Sequence, residues 1–464
     1  IGNFEGELHI TLQENAQPVV QPPRKYPIQL LDEIKAELNK MEELDVITPV
    51  TEPTDWVNAL AFSRKSSGGL RVCLDPRSLN KCIKRTHHKT PTVEEITNQL
   101  SGSKVFSKLD AKHGYWSIKL DEESSMLTTF NSPMGRYRFK RLPFGLNLSQ
   151  DAFQRCMDQI LIQCSGTIGI TDDIIVHGKD EADHDKNLHH LMKIAQKCGL
   201  IFNAEKCFIK TSQIKFFGMI YDAEGVHPDP DKCAEIQALP APRNLTELQQ
   251  FLGIVQFMSP FIPNLADKTA PLRAMTKKGT TFQWNDSLHK VFNDIKASIC
   301  RNITLSYFDV TKPSVIQVDA SRIGIGAALI QDGKPIAFAS KALTETEQRY
   351  ANIERELLAV VFGCERFHTY VFGKEFVVES DHKPLEQIQQ KSLANTPPRL
   401  QRMMLRLQQY DLCIKYRPGK EIILADSLSR LNPVPGKEIN LEQSVYVVQF
   451  SADKLQELRQ KTDA

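Results

Sequence analysis

Seven carboxylates stand at places where an apolar chain has no use for them. KVFSKLDAKHGYW puts Asp110 at the end of an apolar stretch, and IGITDDIIVHG puts Asp172 and Asp173 between two short apolar runs. That spacing predicts a β-hairpin with acids at its tip. Adjacent ionised carboxylates repel each other unless cations neutralise them, so the arrangement suits divalent metals that could activate a hydroxyl and stabilise a leaving pyrophosphate. The pair also suits an ordinary turn, where short acids satisfy local backbone groups. Further on, VIQVDAS, IERELLAVV, VVESDHKPL and ILADSLSR supply Asp319, Glu356, Asp381 and Asp426. Brought together, four acids would bind two divalent cations while an oriented water attacks a phosphodiester; left apart, they are helix-surface and turn charge. Glu354 lies two residues from Glu356, roughly 200° around a helix, so only one of them can face such a site.

The elements that must position these acids follow from periodicity. Leu31, Ile34, Leu38 and Met41 fall at helical spacing after a Pro-rich start. From Trp56 to Ile220, β-like runs (ALAFSRK, LRVCLD, KVFSKLD, RYRFKRL) alternate with helical ones such as DAFQRCMDQILI, which is a mixed α+β pattern. In GRYRFKRL the cations Arg136, Arg138 and Lys140 alternate with Tyr137 and Phe139, so a strand carries charge on one face and rings on the other. The HPDPDK segment, with two prolines, reads as a break in all regular structure, and helices follow, one of them capped by Asn244 with Glu247. After Pro313 come three strands, the last two joined at Asp332-Gly333, then a helix starting at Thr344 with Glu347 and burying Tyr350, Ile353, Leu357, Val360 and Cys364. Another strand, a helix opened by Pro397 and Pro398, and a last strand complete an α/β layered domain. The residues from Pro433 on are weakly patterned and read as a tether.

Length and composition narrow the classes. A chain of 464 residues fits about three domains. With 58 Lys and Arg against 56 Asp and Glu, bulk charge draws no polyanion, so any grip on nucleic acid comes from local clusters. No run is long and apolar enough for a membrane span, and ten scattered cysteines without a CxxC read as reduced thiols in an intracellular setting. There is no D-[ST]-G, HExxH, P-loop or His-His-Cys-Cys array, and the histidines of HDKNLHH read as solvated helix residues.

The ordered series LRVCLDPRSLNK, FSKLDAKHGYW, RYRFKRLPFGL, GITDDIIV, FNAEKC and FFGMI resembles the reverse transcriptases of gypsy-type LTR retrotransposons (Metaviridae), over about residues 20 to 432. The resemblance implies an α+β multidomain protein: a right-hand polymerase with fingers and palm in 1–226 and thumb in 227–310, an α/β ribonuclease H-like domain in 311–432, and a tether in 433–464. By position, Asp110, Asp172 and Asp173 resemble the polymerase's catalytic, metal-binding aspartates. Tyr115 resembles the steric gate against a ribose 2' hydroxyl. Lys65 and Arg71 resemble the residues that hold the triphosphate, with Phe144 and Gly145 of LPFG in the segment under the nucleotide and template base. Lys206 resembles a lysine that assists pyrophosphate departure. Many relatives carry a Tyr before xDD where this chain has Ile170. The second series resembles the ribonuclease H domain of the same elements, which makes Asp319, Glu356, Asp381 and Asp426 its metal ligands. PGKEIILAD lacks the histidine that some of these nucleases place before the last aspartate.

The same resemblance implies RNA- and DNA-directed DNA synthesis from dNTPs, with cleavage of the RNA strand of RNA/DNA hybrids and two Mg²⁺ per site, Mn²⁺ being an alternative. Expected partners are an RNA template, a DNA primer, a second copy on substrate, and the protease and integrase of the same polyprotein, with no membrane; the expected place is a cytoplasmic virus-like particle. The alternatives are a domesticated or decayed relative that binds nucleic acid without chemistry, against which all the acids are present, and a structural component active only in an assembly.

Overall fold

Apolar alternation around the first acids folds as the spacing predicts. In the computed structural model, which describes residues 1–64, 69–300, 303–390, 396–419 and 422, a four-stranded sheet has the order Phe208–Thr211, Val105–Asp110, Asp173–Gly178, Thr167–Ile170. Phe106, Leu109, Ile174, Ile175 and Val176 are fully buried in it. The helices Ser149–Leu161 and Glu181–Cys198 pack on this sheet, and a hairpin of Ala59–Arg64 with Leu70–Asp75 lies earlier in the chain. These elements belong to a compact unit spanning Ile1–Ile214; a second begins at Lys215.

Three local readings change on contact with the structure. His184 is not solvated: with Asn187, Leu191 and Ala195 it forms the buried stripe of its helix, and its ring is satisfied by the Ser107 hydroxyl at 2.8 Å, while His189 and His190 are exposed. The HPDPDK prolines do not abolish regular structure. Pro228 ends the strand Val226–Pro228, and Pro230 opens the helix Pro230–Ala238 at its first position, where a missing N–H costs nothing, behind the cap supplied by Asp229. The helix expected to run on from Thr344 is two helices. Thr344 and Glu347 cap a short Glu345–Gln348 turn, and Glu354 then reaches back to the Ala351 N–H at 2.9 Å and starts Asn352–Arg366 afresh, leaving Tyr350 half-buried between them.

In the second unit, helices Leu245–Phe257, Leu265–Ala274 and Asp286–Ile299 precede a five-stranded sheet. Its order is Lys334–Ala342, Gly324–Gln331, Ser314–Ala320, Glu375–Ser380, Asp411–Tyr416, the first three antiparallel and the last two parallel to Ser314–Ala320 and to each other. Asp332 and Gly333 both take positive φ, the turn that matches strand twist in a two-residue hairpin. Ile316, Val318 and Ala327 face Gly363 of the Asn352–Arg366 helix. Strand alternation puts Gly324 and Gly326 on the opposite face, against the Leu265–Ala274 helix. With both faces covered, all eight residues of Gly324–Gln331 are buried.

Candidate functional site

Strand register gathers the first acids. Asp173 pairs directly with Asp110 across antiparallel strands, and Asp173 pairs with Ile170 on its other side, so Thr171 and Asp172 form the turn of a tight hairpin. The Asp172 carbonyl accepts the Ala111 N–H at 2.7 Å, tying that turn to the residue after Asp110. Thr171 takes φ 51°, an unusual conformation for a β-branched residue. A buried glutamine holds it there: Gln154 accepts the Thr171 N–H at 2.8 Å and donates to the Gly169 carbonyl at 3.1 Å and to Asp158 at 2.8 Å. Ile170 is buried beneath the turn. Asp172 reaches solvent at the tip, yet the protein packed around its inner side, reinforced by the charges of Asp173 and Asp110, lifts its carboxyl above the ordinary range. Lys108 pairs with Asp173 at 2.9 Å and Lys206 with Asp110 at 3.2 Å.

An aromatic column stands beside these acids. The Tyr115 ring lies 4.9 Å from Phe144 and 5.6 Å from Phe153, centroid to centroid, and the Arg71 guanidinium sits 5.5 Å from the Phe144 centroid. Burial, then the charges of Asp172 and Asp151, push the Tyr115 phenol up to about 12, so it is neutral at physiological pH. Gly145 follows with φ 113°; a Cβ there would come within 2.0 Å of the Leu74 carbonyl, so only glycine allows the Phe144 carbonyl to accept the Leu74 N–H at 2.9 Å. The structure thus groups Arg71, Tyr115, Phe144 and Gly145, with Tyr115 within electrostatic reach of Asp172. Lys65 lies outside the described residues. On Gly135–Phe139 the expected alternation holds, Tyr137 and Phe139 inward and Arg136 outward, but Arg138 is held by Glu122 and Lys140 by Asp45.

The second constellation is built by parallel register. Gln317 pairs with Glu379 on neighbouring strands, so Asp319 and Asp381, each two residues on, emerge at the same end of the sheet. The helix Asn352–Arg366 packs on Ser314–Ala320 and Gly324–Gln331 and turns Glu356 inward, 4 % exposed, with its Oε2 buried and without a hydrogen-bond partner among the described residues. Burial, then the charges of Asp381 and Asp319, push Glu356 up to about 8, and burial with the charges of Asp381 and Asp267 raises Asp319. Glu354 faces away, capping its helix and taking both its oxygens to Arg399 at 2.9 Å. Asp426 lies outside the described residues.

Among the described residues no three His, Cys, Asp or Glu side chains form a ready cage for a metal. The donors nonetheless fit a divalent cation by charge: an orphaned, buried Glu356 oxygen and mutually repelling carboxylates at both places are what such an ion would relieve. At the first place the ion would have to displace Lys108 and Lys206 from Asp173 and Asp110.

Gln154 and Lys108 escaped the sequence reading. A glutamine in the middle of DAFQRCMDQIL, on the helix's apolar stripe with Met157 and Leu161, was the available signal for the first; an isolated lysine before LD gives none for the second.

Residues 63–221 match the family model of the reverse transcriptase (RNA-dependent DNA polymerase), and residues 309–410 that of the RNase H-like domain found in reverse transcriptase. The Pol polyprotein of transposon 297 from Drosophila melanogaster is 32% identical over 88% of this chain and 39% of its own length. That of transposon gypsy from the same fly is 30% identical over 83% of this chain and 38% of its own. The chain therefore spans about two fifths of the curated relatives it matches. The foamy viral protease-reverse transcriptase dRH in complex with ds DNA shares the fold, with a TM-score of 0.82 at 22% identity over 90% of this chain and 75% of that one.

Proposed function

Because the chain belongs to the gypsy-type LTR-retrotransposon Pol polyproteins and carries their reverse transcriptase and RNase H-like domains, we propose that it copies RNA and DNA templates from a DNA primer with dNTPs and cleaves the RNA strand of the resulting hybrid. The observation that carries the reading is the register of Asp173 with Asp110 under the Asp172 turn, with Tyr115, Phe144 and Arg71 packed together alongside. In this reading residues 1–226 form fingers and palm, 227–310 the thumb and 311–432 the ribonuclease H domain; the expected tether, 433–464, lies outside the described residues.

Asp110, Asp172 and Asp173 would hold two Mg²⁺ ions, or Mn²⁺, and Asp319, Glu356, Asp381 and Asp426 two more; when bound, these ions supply Lewis-acid activation of the attacking oxygen and stabilisation of the leaving one. Arg71 binds the triphosphate with the paired donors of a guanidinium, and Lys65 adds a point charge. Tyr115 fills the space that a 2' hydroxyl would need, while Phe144 and Gly145 support the base. Lys206, next to Asp110, is placed to deliver charge or a proton to departing pyrophosphate. In the nuclease site, Glu356 and Asp319 hold the hydrolytic centre on the sheet end, and Glu354 keeps the helix in place through Arg399. A second copy on substrate, the polyprotein's protease and integrase, and an intracellular particle belong to the same reading; among the described residues no helix is long and apolar enough to cross a membrane.

The test is extension of a labelled DNA primer on an RNA template with Mg²⁺ or Mn²⁺, beside Asp172→Asn. Extension by the wild-type chain that the variant loses supports the polymerase. Tight hybrid binding without extension under either metal would reverse the reading in favour of a non-catalytic binder.

A further inference from the structure

The nuclease centre is touched by a residue from outside the segment that matches the RNase H-like family. Asn264 lies in FIPNLAD, 55 residues before Asp319, and its side-chain amide donates to Asp319 Oδ2 at 3.5 Å. Its backbone sits at φ 52°, ψ 37°, the left-handed region that asparagine tolerates, between buried Ile262 and Pro263 on one side and the helix Leu265–Ala274 on the other. That helix is pinned to the nuclease sheet by Leu265, Ala266 and Leu272 in its buried face and by the Ala266 N–H donating to Ser340 Oγ at 2.9 Å.

The sheet is shaped to receive this side chain. Gly326 is the cross-strand partner of Asp319, and a Cβ on Gly326 would lie 1.9 Å from Asn264 Oδ1 and meet no atom but those of the Asn264 amide. Cross-strand partners project to one face, so the amide occupies the space beside Asp319 that Gly326 leaves free. One turn along the helix, Asp267 fills the equivalent space over Gly324.

We propose that Asn264 is a positioning residue of the nuclease: its amide fixes the rotation of the Asp319 carboxylate, so that the centre is complete only when the helix Leu265–Ala274 is docked. The inference rests on the nuclease reading and goes beyond it by drawing the helical region before the domain into the site. The long hydrogen bond restrains a carboxylate that must otherwise be ordered by the ion it binds, so losing it weakens Mg²⁺ use before it weakens the fold.

The experiment uses the full chain and a labelled RNA/DNA hybrid, titrated with Mg²⁺, with thermal melting and primer extension measured on the same samples. Asn264→Gly keeps the left-handed turn and removes the amide; Gly326→Ala keeps the amide and pushes it aside. Each is expected to lower the cleavage kcat about fivefold and raise the Mg²⁺ concentration for half-maximal cleavage by about as much, with extension unchanged. The double variant should cleave no worse than Asn264→Gly alone, because the new methyl then has room. Unchanged cleavage and Mg²⁺ dependence in both single variants would overturn the proposal, as would a loss that tracks a lowered melting temperature with Mg²⁺ dependence unmoved. Wild-type cleavage that Asp319→Asn abolishes is the control for the underlying reading; if the wild-type chain does not cleave, that reading fails with it.

Discussion

Single side chains carry two separable expectations. Tyr115 is neutral and packed against Phe144 and Phe153, so in the proposed function it acts as a wall rather than a ligand. Tyr115→Ala should leave dNTP incorporation within severalfold and relax discrimination against rNTPs by roughly a hundredfold, about 3 kcal/mol of steric exclusion, as read from the ratio of kcat/KM values. Glu356 is the opposite case, a buried carboxyl with one oxygen left without a hydrogen-bond partner among the described residues. Its folded value of about 8 lies above that of the unfolded chain, so between about pH 4.5 and 8 the unfolded state has released a proton that the folded state retains. Without metal, the second unit should therefore lose stability as pH rises through that window and be insensitive to this group below it. Glu356→Gln should flatten the slope and raise the metal-free melting temperature at pH 8 by roughly 3–8 °C. Added Mg²⁺ should then raise the melting temperature of the wild type more than that of the variant, and an equal rise would argue against Glu356 as a ligand.

At the level of elements, the Thr171–Asp172 turn depends on the helix below it. Gln154 satisfies a backbone donor at Thr171 and a backbone acceptor at Gly169, so Gln154→Leu strands both in the interior. It should cost the first unit about 2–4 kcal/mol, measured by denaturant unfolding, and lower the extension kcat more than KM for the dNTP. The strands and the hairpin tip were legible in the sequence because alternation and punctuation are local signals: Val105–Asp110 and Asp173–Gly178 appear where KVFSKLD and DDIIVHG placed them. The same locality explains what was not legible. Gln154 acts on a residue 17 positions away and Asn264 on one 55 away, and nothing within either segment names the partner. Helical geometry allowed only one of Glu354 and Glu356 to face the site and the family resemblance pointed to Glu356; the structure sends the first to Arg399 and the second inward. The restart of the helix at Ala351 was hidden because two capping patterns lie within ten residues and the first reads as sufficient.

For the molecule as a whole, the two groups of acids fall in different compact units, Asp110, Asp172 and Asp173 before Ile214 and Asp319, Glu356 and Asp381 after Lys215. Each group is assembled by its own sheet, by antiparallel register in one and parallel register in the other. Two chemistries built this way should be separable by single substitutions that leave both folds intact. The most direct measurement follows extension and template cleavage together, in one reaction, on an RNA template with a DNA primer labelled on each strand, for wild type, Asp172→Asn and Asp381→Asn. Asp172→Asn should cleave a preformed hybrid at the wild-type rate without extending the primer, and Asp381→Asn should extend the primer while leaving the RNA intact. Loss of both activities in either variant with its melting temperature preserved, or survival of extension in Asp172→Asn, would contradict two carboxylate centres with these residues in these roles.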